Sequence, residues 1–301
     1  MGRIFAIKRF EIHDGDGVRT TLFLKGCPLR CAWCHNPEGL SPAIQLGYLA
    51  EKCLHCGHCT ALCTAHHMEH GQHIFEPALC HTCGQCAITC PSSALTLFGT
   101  ERTALSLLPD LLADRAYYEA TGGGVTLSGG EPMAQPEFAR EILALLKKEN
   151  IHTALDTCGF APRAAYESIL PYTDLFLFDL KAADPETHLR CTGQRNDLIL
   201  ENLRFLDESG LPIDIRIPLV PDMNDTELPA MARLLQSMKH LRKVKILPYH
   251  HYSGSRYQSL RMPYSLSALT PPSPEAVSRA VWMLRDAGLP ATDHREEIPC
   301  R

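Results

Sequence analysis

GCPLRCAWC, residues 26–34, follows directly on a short apolar run at residues 21–24. It places Cys27, Cys31 and Cys34 at x3 and x2 spacing on one short loop. Three thiolates on such a loop can bind three irons of a 4Fe–4S cluster, whereas a saturated cluster takes four cysteines. The fourth iron would be free to bind a small molecule, so the spacing predicts an enzyme. A closed site with His35 as the fourth ligand is the alternative.

The composition is that of an ordinary globular protein of 301 residues, long enough for one large domain or two smaller ones. The net charge is −5 and no Lys/Arg block is present, which argues against nucleic acid as a partner. No apolar stretch reaches the length of a membrane span, and the amino-terminal residues lack the apolar core of a signal peptide. We therefore expect a cytoplasmic protein with no membrane partner.

Cysteine is the unusual residue, because the chain has 14 and 11 of them lie between Cys27 and Cys90. Secreted disulfide scaffolds reach such a density, but they are short and exported. Iron–sulfur ligation in a reducing compartment fits this chain better. The remaining three, Cys158, Cys191 and Cys300, are expected to be free thiols.

Outside the cysteine-rich stretch, six short apolar runs alternate with six longer helical patterns. The predicted strands span residues 19–24, 125–128, 152–156, 174–180, 213–219 and 244–248. The predicted helices span residues 104–120, 136–149, 162–170, 198–209, 226–238 and 274–287. The strands are rich in Leu, Ile, Val and Phe without strict alternation, as in a parallel sheet covered by helices. The pattern predicts an α/β fold, a partial (β/α)6 TIM-like barrel with its site at the carboxyl ends of the strands.

Residues 45–98 interrupt this alternation and are predicted to form an inserted small domain, which leaves residues 1–44 and 99–301 for the barrel. The insertion holds two runs of Cys-x2-Cys-x2-Cys-x3-Cys. In bacterial ferredoxins the fourth cysteine of each run binds the cluster of the other run. One cluster would thus take Cys53, Cys56, Cys59 and Cys90, and the other Cys63, Cys80, Cys83 and Cys86. Structural zinc sites are the alternative, but the duplicated run favours a two-cluster ferredoxin-like insertion and three 4Fe–4S clusters in all.

The three-cysteine loop after a first strand resembles that of the radical S-adenosylmethionine (SAM) enzymes. The longer match, DGDGVRT at residues 14–20 through CHNPE at residues 34–38, is similar to the activating enzymes of glycyl-radical enzymes, the relatives of pyruvate formate-lyase activase. The paired cysteine runs indicate the subgroup with a two-cluster insertion. The resemblance covers nearly the whole chain.

The resemblance also implies a SAM site. GGGVTLSGGEP at residues 122–132 matches the Gly-Gly-Glu segment of the family, so Gly129, Gly130 and Glu131 would bind the methionine part of SAM. Glycines allow the backbone to approach a ligand closely, and a carboxylate suits an ammonium group. Trp33 and His35 would line the adenine pocket, although Trp33 could equally be packing cover for the cluster.

Two further segments match the ends of the third and fourth strands of the family. Asp156 of DTCG and Asp179 of DLK would help to form a monovalent-cation site, and Lys181 would face the SAM carboxylate. A solvated strand end is the alternative for Asp179 and Lys181. His250, after the sixth strand, would contact the nucleoside. The chain departs from the family pattern at Asp16 (usually proline), at Cys158 (usually asparagine) and at residues 261–262.

The implied activity is that of an activase. SAM would bind the open iron, one electron would cleave it to methionine and a 5′-deoxyadenosyl radical, and the radical would abstract hydrogen from a glycine of a partner glycyl-radical enzyme. Reduced flavodoxin or ferredoxin would supply the electron, with the insertion clusters as a relay. A structural or partner-docking role of these clusters is the alternative. The alternatives are a radical SAM enzyme acting on a small molecule and an iron–sulfur electron carrier.

Overall fold

The computed structural model describes residues 1–293, so Cys300 lies outside the described part. The strands are β1 (Gly2–Glu11), β2 (Arg19–Leu24), β3 (Gln45–Tyr48), β4 (His66–Glu69), β5 (Gln72–Phe75), β6 (Leu95–Phe98), β7 (Thr100–Arg102), β8 (Gly124–Gly129), β9 (His152–Thr157), β10 (Leu175–Asp179), β11 (Ile213–Leu219), β12 (Leu241–Pro248) and β13 (Ala291–Asp293). The helices are α1 (Gln85–Ile88), α2 (Ala104–Leu112), α3 (Arg115–Thr121), α4 (Pro136–Lys148), α5 (Arg163–Ile169), α6 (Pro185–Thr192), α7 (Asp197–Glu208), α8 (Leu228–Leu235), α9 (Gly254–Ser259) and α10 (Pro274–Asp286).

The central sheet has the order β13-β12-β11-β10-β9-β8-β2-β1-β7. Strands β2, β8, β9, β10, β11 and β12 are the six predicted from the sequence, and each pairs in parallel with its neighbour. This confirms an α/β fold with a mostly parallel sheet. The sequence analysis missed β1 and β7, which extend one edge in antiparallel pairing, and the parallel edge strand β13.

The six parallel strands form a curved layer. Asp16, in the loop before β2, forms ion pairs with Arg242 (2.7 Å) and Lys243 (2.6 Å) at the start of β12. Five strand spacings would separate β2 from β12 by roughly 24 Å in a flat sheet, so the sheet must curve for a short loop to make these contacts. Hydrogen bonds from the two cations lower the pKa of Asp16 to about 2, although burial opposes the shift.

The helices cover the outer face of this layer. On α4 the buried side chains recur at helical spacing, as at Phe138, Ile142 and Leu146, and they pack into one large apolar core with the strands. Ser273 caps α10 by accepting a hydrogen bond from the Ala276 amide (3.2 Å).

The single helix predicted at residues 104–120 is wrong, because the structure divides it into α2 and α3. Asp114, at the break, is buried and accepts hydrogen bonds from the Arg9 guanidinium and from Thr20 Oγ1 (3.1 Å). The backbone of Asp114 leaves the helical region, with φ of −107° and ψ of 19°. These long-range contacts are invisible in the helical periodicity.

Residues 45–98 form only short elements, as expected from their sequence. Strand β3 pairs with β6, and β4 pairs with β5 in a hairpin between the two cysteine runs. Their apolar side chains make a small cluster of their own, against which most of the insertion cysteines pack. Within residues 1–293, no helix combines the length and apolar character needed to cross a bilayer.

Candidate active site at the carboxyl ends of the parallel strands

A cavity of about 530 Å³ opens at the carboxyl ends of the parallel strands. This volume lies in the usual range for sites that hold small molecules. Every residue that the sequence analysis assigned to the SAM site lines it, with Glu131 as the exception. These lining residues are Cys27, Cys31, Trp33, Cys34, His35, Gly129, Gly130, Asp156, Asp179, Lys181 and His250.

The three-cysteine loop is fixed by backbone hydrogen bonds. The amides of Arg30 and Ala32 donate to the carbonyls of Thr192 (2.7 Å) and Cys191 (3.0 Å), at the end of α6. The Cys27 amide donates to the Leu40 carbonyl (3.2 Å). Helix α6 was not predicted from the sequence, yet it supports the loop that carries the thiols.

The three thiols converge on the cavity, and two of them, those of Cys31 and Cys34, are costly to ionise there without a counter-charge. Burial raises the pKa of Cys31 to about 12 and that of Cys34 to about 11, and Lys181 opposes both shifts. A bound metal would supply the missing positive charge, since thiolates are the form that binds metal. The donor set therefore fits a thiolate-bound iron–sulfur cluster.

A fourth thiol at this cavity, that of Cys158, is buried. It lies within hydrogen-bonding reach of the Cys27 thiol and of the Glu131 carboxylate, and its interaction with Cys27 lowers the pKa of Cys27. The same contact, together with burial, raises the pKa of Cys158 well above its usual range. The sequence analysis treated Cys158 only as a free thiol and a departure from the family pattern.

Gly129 and Gly130 lie where backbone segments nearly touch. Gly129 has φ of +123°, and a Cβ on it would meet the backbone of Leu24 at 2.3 Å. A Cβ on Gly130 would meet the Gly26 carbonyl oxygen at 2.3 Å. Only glycine fits at either position. The close packing of β8 against the cysteine loop therefore requires both glycines, whether or not a ligand is bound.

The structure does not bring the Glu131 side chain to the cavity. Its carboxylate is fully buried and accepts hydrogen bonds from the Cys158 amide (2.7 Å), the Thr157 hydroxyl (2.9 Å) and the Met133 amide (3.0 Å). Burial raises its pKa. Glu131 therefore holds the segment after β9 in place, and its contact with an ammonium group of SAM stays a prediction.

Asp156 and Asp179 meet through Arg216, a residue that the sequence analysis missed. The guanidinium pairs with Asp156 and lies 3.0 Å from Asp179 and 3.4 Å from Asp14. Lys181 Nζ lies 2.9 Å from the other oxygen of Asp179. Burial alone would raise the pKa of Asp179, but the two cations lower it to about 2.

Asp156 belongs to the same network, but its pKa is raised whereas that of Asp179 is lowered. Burial raises its pKa to about 7 although Arg216 opposes the shift, and the nearby Asp179 and Asp14 carboxylates add to the rise. Ser128 Oγ donates to it at 2.5 Å. Asp14, Asp156 and Asp179 thus share the charges of Arg216 and Lys181 close to the three thiols.

Aromatic side chains form the opposite wall. The rings of His35 and His250 stack with centroids 3.9 Å apart, and Tyr252 lies 4.6 Å from His250. His35 Nε2 lies 3.2 Å from the His250 carbonyl oxygen. Burial lowers the pKa of His35 to about 4, so its ring is neutral. Trp33 is buried against Cys191, Val220 and Tyr249, while one side of it lines the cavity.

The insertion cysteines gather in the two sets expected from the ferredoxin pattern. Burial raises the pKa of Cys59, with Cys53, Cys56 and Cys90 close by, and these four thiols line one cavity. Burial raises the pKa of Cys86 to about 11, with Cys80, Cys63 and Cys83 as its neighbours. The fold thus places the fourth cysteine of each run beside the other run.

The sequence pattern of the Radical SAM superfamily matches residues 21–235, from β2 to the end of α8. The chain belongs to the radical SAM superfamily. Membership implies a 4Fe–4S cluster and SAM as cofactors, which agrees with three thiols at a cavity of this size.

Radical SAM relatives of this chain include several activating enzymes. The choline trimethylamine-lyase activating enzyme of Oleidesulfovibrio alaskensis is 40% identical over 87% of this chain and 88% of its own length. The trans-4-hydroxy-L-proline dehydratase activating enzyme of Clostridioides difficile is 38% identical over 90% of this chain and 92% of its own. Among solved structures, a radical SAM methyltransferase from Sphaerobacter thermophilus covers 97% of this chain and 76% of its own with a TM-score of 0.55. At 16% identity, that likeness concerns the fold alone.

Proposed function

We propose that this chain is the activase of a partner glycyl-radical enzyme. It cleaves SAM reductively and takes a hydrogen atom from a glycine of that partner. The observation that carries the proposal is the three-thiol loop at a cavity of SAM-compatible size, in a chain 40% identical to an activating enzyme. Neither an electron carrier nor an enzyme for a small-molecule substrate is favoured by any of its relatives named above.

Cys27, Cys31 and Cys34 would hold a 4Fe–4S cluster by three of its irons. The cluster, when bound, supplies one electron that breaks the S–C5′ bond of SAM and leaves methionine and a 5′-deoxyadenosyl radical. That radical takes hydrogen from the glycine Cα, which gives 5′-deoxyadenosine and a glycyl radical. Atoms and electrons balance with one reductant electron for each activation.

The other lining residues would bind and orient SAM. Lys181 would face the methionine carboxylate, and the backbone at Gly129 and Gly130 would lie along the methionine part. The stacked rings of His35 and His250, with Trp33, would form the adenine pocket. The acidic network offers excess negative charge to the sulfonium and the ammonium groups. Closing such a site excludes water from a reactive radical.

A monovalent cation at Asp156 and Asp179 stays a prediction. The Arg216 guanidinium lies between these carboxylates, so a metal cation would have to share or replace its contacts. SAM binding, by adding a carboxylate near Lys181, would be the event that rearranges this network.

Residues 45–98 would form an inserted domain with two further clusters, while residues 1–44 and 99–301 form the SAM-binding part. The support is the gathering of eight cysteines in two sets of four. Reduced flavodoxin or ferredoxin would donate the electron, and the insertion clusters would pass it on. The expected cellular place is the cytoplasm.

The variants Cys31→Ala and Cys83→Ala test this assignment. Cys31→Ala should abolish 5′-deoxyadenosine release from SAM and dithionite, because it removes a ligand of the SAM-binding cluster. Cys83→Ala should slow release without abolishing it, because it affects only a relay cluster. Iron content and the EPR spectrum of each variant serve as controls for cluster assembly. Turnover that persists in Cys31→Ala contradicts the proposal.

The partner class is tested separately with the wild-type chain. Mixed anaerobically with SAM, reductant and a glycyl-radical enzyme, it should generate the EPR doublet of a glycyl radical in the partner. Release of 5′-deoxyadenosine without a radical in any glycyl-radical enzyme supplied, but with a small-molecule product, would instead favour the alternative radical SAM chemistry.

A further inference from the structure

Two buried histidines lie on the β4–β5 hairpin, between the two cysteine runs. His66 is 3% exposed and His73 is 5% exposed. Nδ1 of His66 lies 3.0 Å from Nε2 of His73, and the two rings stack. Phe75 also stacks on His66, and Tyr48 packs edge-on against His73. The pair is therefore held in one arrangement by packing.

The two rings together carry one more N–H group than the protein provides with an acceptor. A neutral imidazole carries one proton on its two nitrogens, so the two rings carry two N–H groups between them. One proton occupies the hydrogen bond that joins the rings. Neither His66 Nε2 nor His73 Nδ1 has a hydrogen-bond partner in the described part of the chain. Whichever ring donates, one buried N–H lacks an acceptor, which is unfavourable unless a bound group supplies one.

Cys59, one of the insertion cysteines, lies close to both rings. One ring nitrogen of each histidine lies within 4.8 Å of Cys59 Sγ. His73, but not His66, lines the cavity at which Cys53, Cys56, Cys59 and Cys90 meet. The His73 amide donates to His55 Nδ1 (3.0 Å), which further fixes the position of His73 against this cavity.

We infer that His73, oriented by His66, donates its remaining ring N–H to a sulfur of the cluster proposed for Cys53, Cys56, Cys59 and Cys90. The inference rests on the insertion clusters of the proposed function. A hydrogen bond to a cluster sulfur stabilises the more negative, reduced state and so raises the reduction potential. The pair thus makes this relay cluster easier to reduce.

A single metal ion held by Cys59, His66 and His73 is the competing arrangement. It would supply only three protein ligands and would remove Cys59 from its set of four thiols. We favour the cluster for this reason, and the experiment separates the two.

The experiment uses the full chain with Cys27, Cys31 and Cys34 changed to alanine, so that only the insertion clusters remain. Into this background we place His73→Phe, which keeps an aromatic ring beside Tyr48. The double variant His66→Phe/His73→Phe also removes the imidazole of His66, which would otherwise lose its hydrogen-bond partner. His70→Asn, at the exposed turn of the same hairpin, is the matched control, because Asn tolerates its φ of +48°. Each protein is prepared with 15N-histidine, reduced in an EPR redox titration, and examined by pulsed EPR.

The background protein should show a 15N coupling from a histidine ring to one reduced cluster. His73→Phe and the double variant should lose that coupling, and the ratio of reduced to oxidised cluster at a fixed potential should fall about tenfold, equivalent to about 59 mV for one electron. The control should change neither. Intact clusters without a histidine coupling, and with an unchanged potential in both Phe variants, would overturn the inference. Zinc bound in place of one cluster would favour the competing site, and absence of iron in the insertion would contradict the proposed function itself.

Discussion

Single residues at the cavity decide how well the three thiols can hold a cluster. Cys158 is the clearest case, because its thiol donates toward Cys27 from the position where the family pattern has asparagine. Both side chains can donate a hydrogen bond to a sulfur atom. The contact thus explains why cysteine can replace asparagine at position 158: the side chain still supplies a hydrogen-bond donor to the Cys27 sulfur.

This explanation predicts different results for two variants of one residue. Cys158→Asn should retain 5′-deoxyadenosine release near the wild-type rate, whereas Cys158→Ala, which removes the donor, should lower the rate about tenfold through a less easily reduced cluster. The measurements are the rate of release from SAM and dithionite, and the iron content of each protein. Loss of one cluster's iron in both variants would show instead that Cys158 is a ligand.

At the scale of the elements, the register of neighbouring strands builds the charged network. Arg216 on β11 lies directly opposite Asp179 on β10, and Asp156 belongs to β9, the next strand. The register therefore aligns one cation with carboxylates from two other strands. The Arg216 side chain is only 12% exposed, so it depends on these carboxylates for its charge balance.

Removal of Arg216 should destabilise the fold strongly. Arg216→Gln leaves three carboxylates with Lys181 alone, and the breaking of such a buried pair costs about 3–5 kcal/mol. The double variant Arg216→Gln/Asp156→Asn should recover part of this loss, because it removes one of the unpaired charges. Thermal unfolding under anaerobic conditions measures both. Equal stability of the single and double variants would contradict the account of the network.

The elements also show how far the sequence could predict the structure. The six parallel strands were predicted because their apolar runs are buried on both faces, and the cysteine spacings fixed which thiols meet. Strand β1 was missed because its apolar run covers only residues 4–7 and is followed by charged, exposed positions near the sheet edge. The break at Asp114, the role of Arg216 and the burial of Glu131 depend on partners far away in the chain. Only an isolated charge between isoleucines in β11 gave any sign of Arg216.

At the scale of the whole molecule, buried neutral histidines link stability to pH. His188, which is 1% exposed, interacts through Nδ1 with the Gln194 carbonyl oxygen at 2.6 Å. Burial lowers its pKa below the ordinary value of 6.5, although the hydrogen bond opposes the shift. As the pH falls, His188 is therefore protonated in the unfolded chain before it is protonated in the folded chain. Its contribution to the free energy of unfolding is present above pH 6.5 and is lost as the pH falls below that value.

The variant His188→Gln should weaken this dependence. The glutamine amide can still donate to the Gln194 carbonyl but does not titrate. Between pH 7.5 and pH 5.5, roughly one unit on either side of the ordinary pKa, the midpoint of thermal unfolding should therefore fall less in the variant than in the wild type. His152, whose pKa burial also lowers, keeps part of the dependence in the variant. If the midpoint of thermal unfolding changes equally with pH in the two proteins, His188 does not contribute to the pH dependence of stability.

The central claim is that three thiols leave one iron of the amino-terminal cluster open to SAM. Pulsed ENDOR on the reduced protein, with SAM carrying 15N in its methionine amine, tests this most directly. We predict a strong 15N coupling to a cluster in the wild-type chain, retained in Cys83→Ala and lost in Cys31→Ala. A fully assembled amino-terminal cluster that shows no such coupling, with a side chain at its fourth iron, would contradict the account.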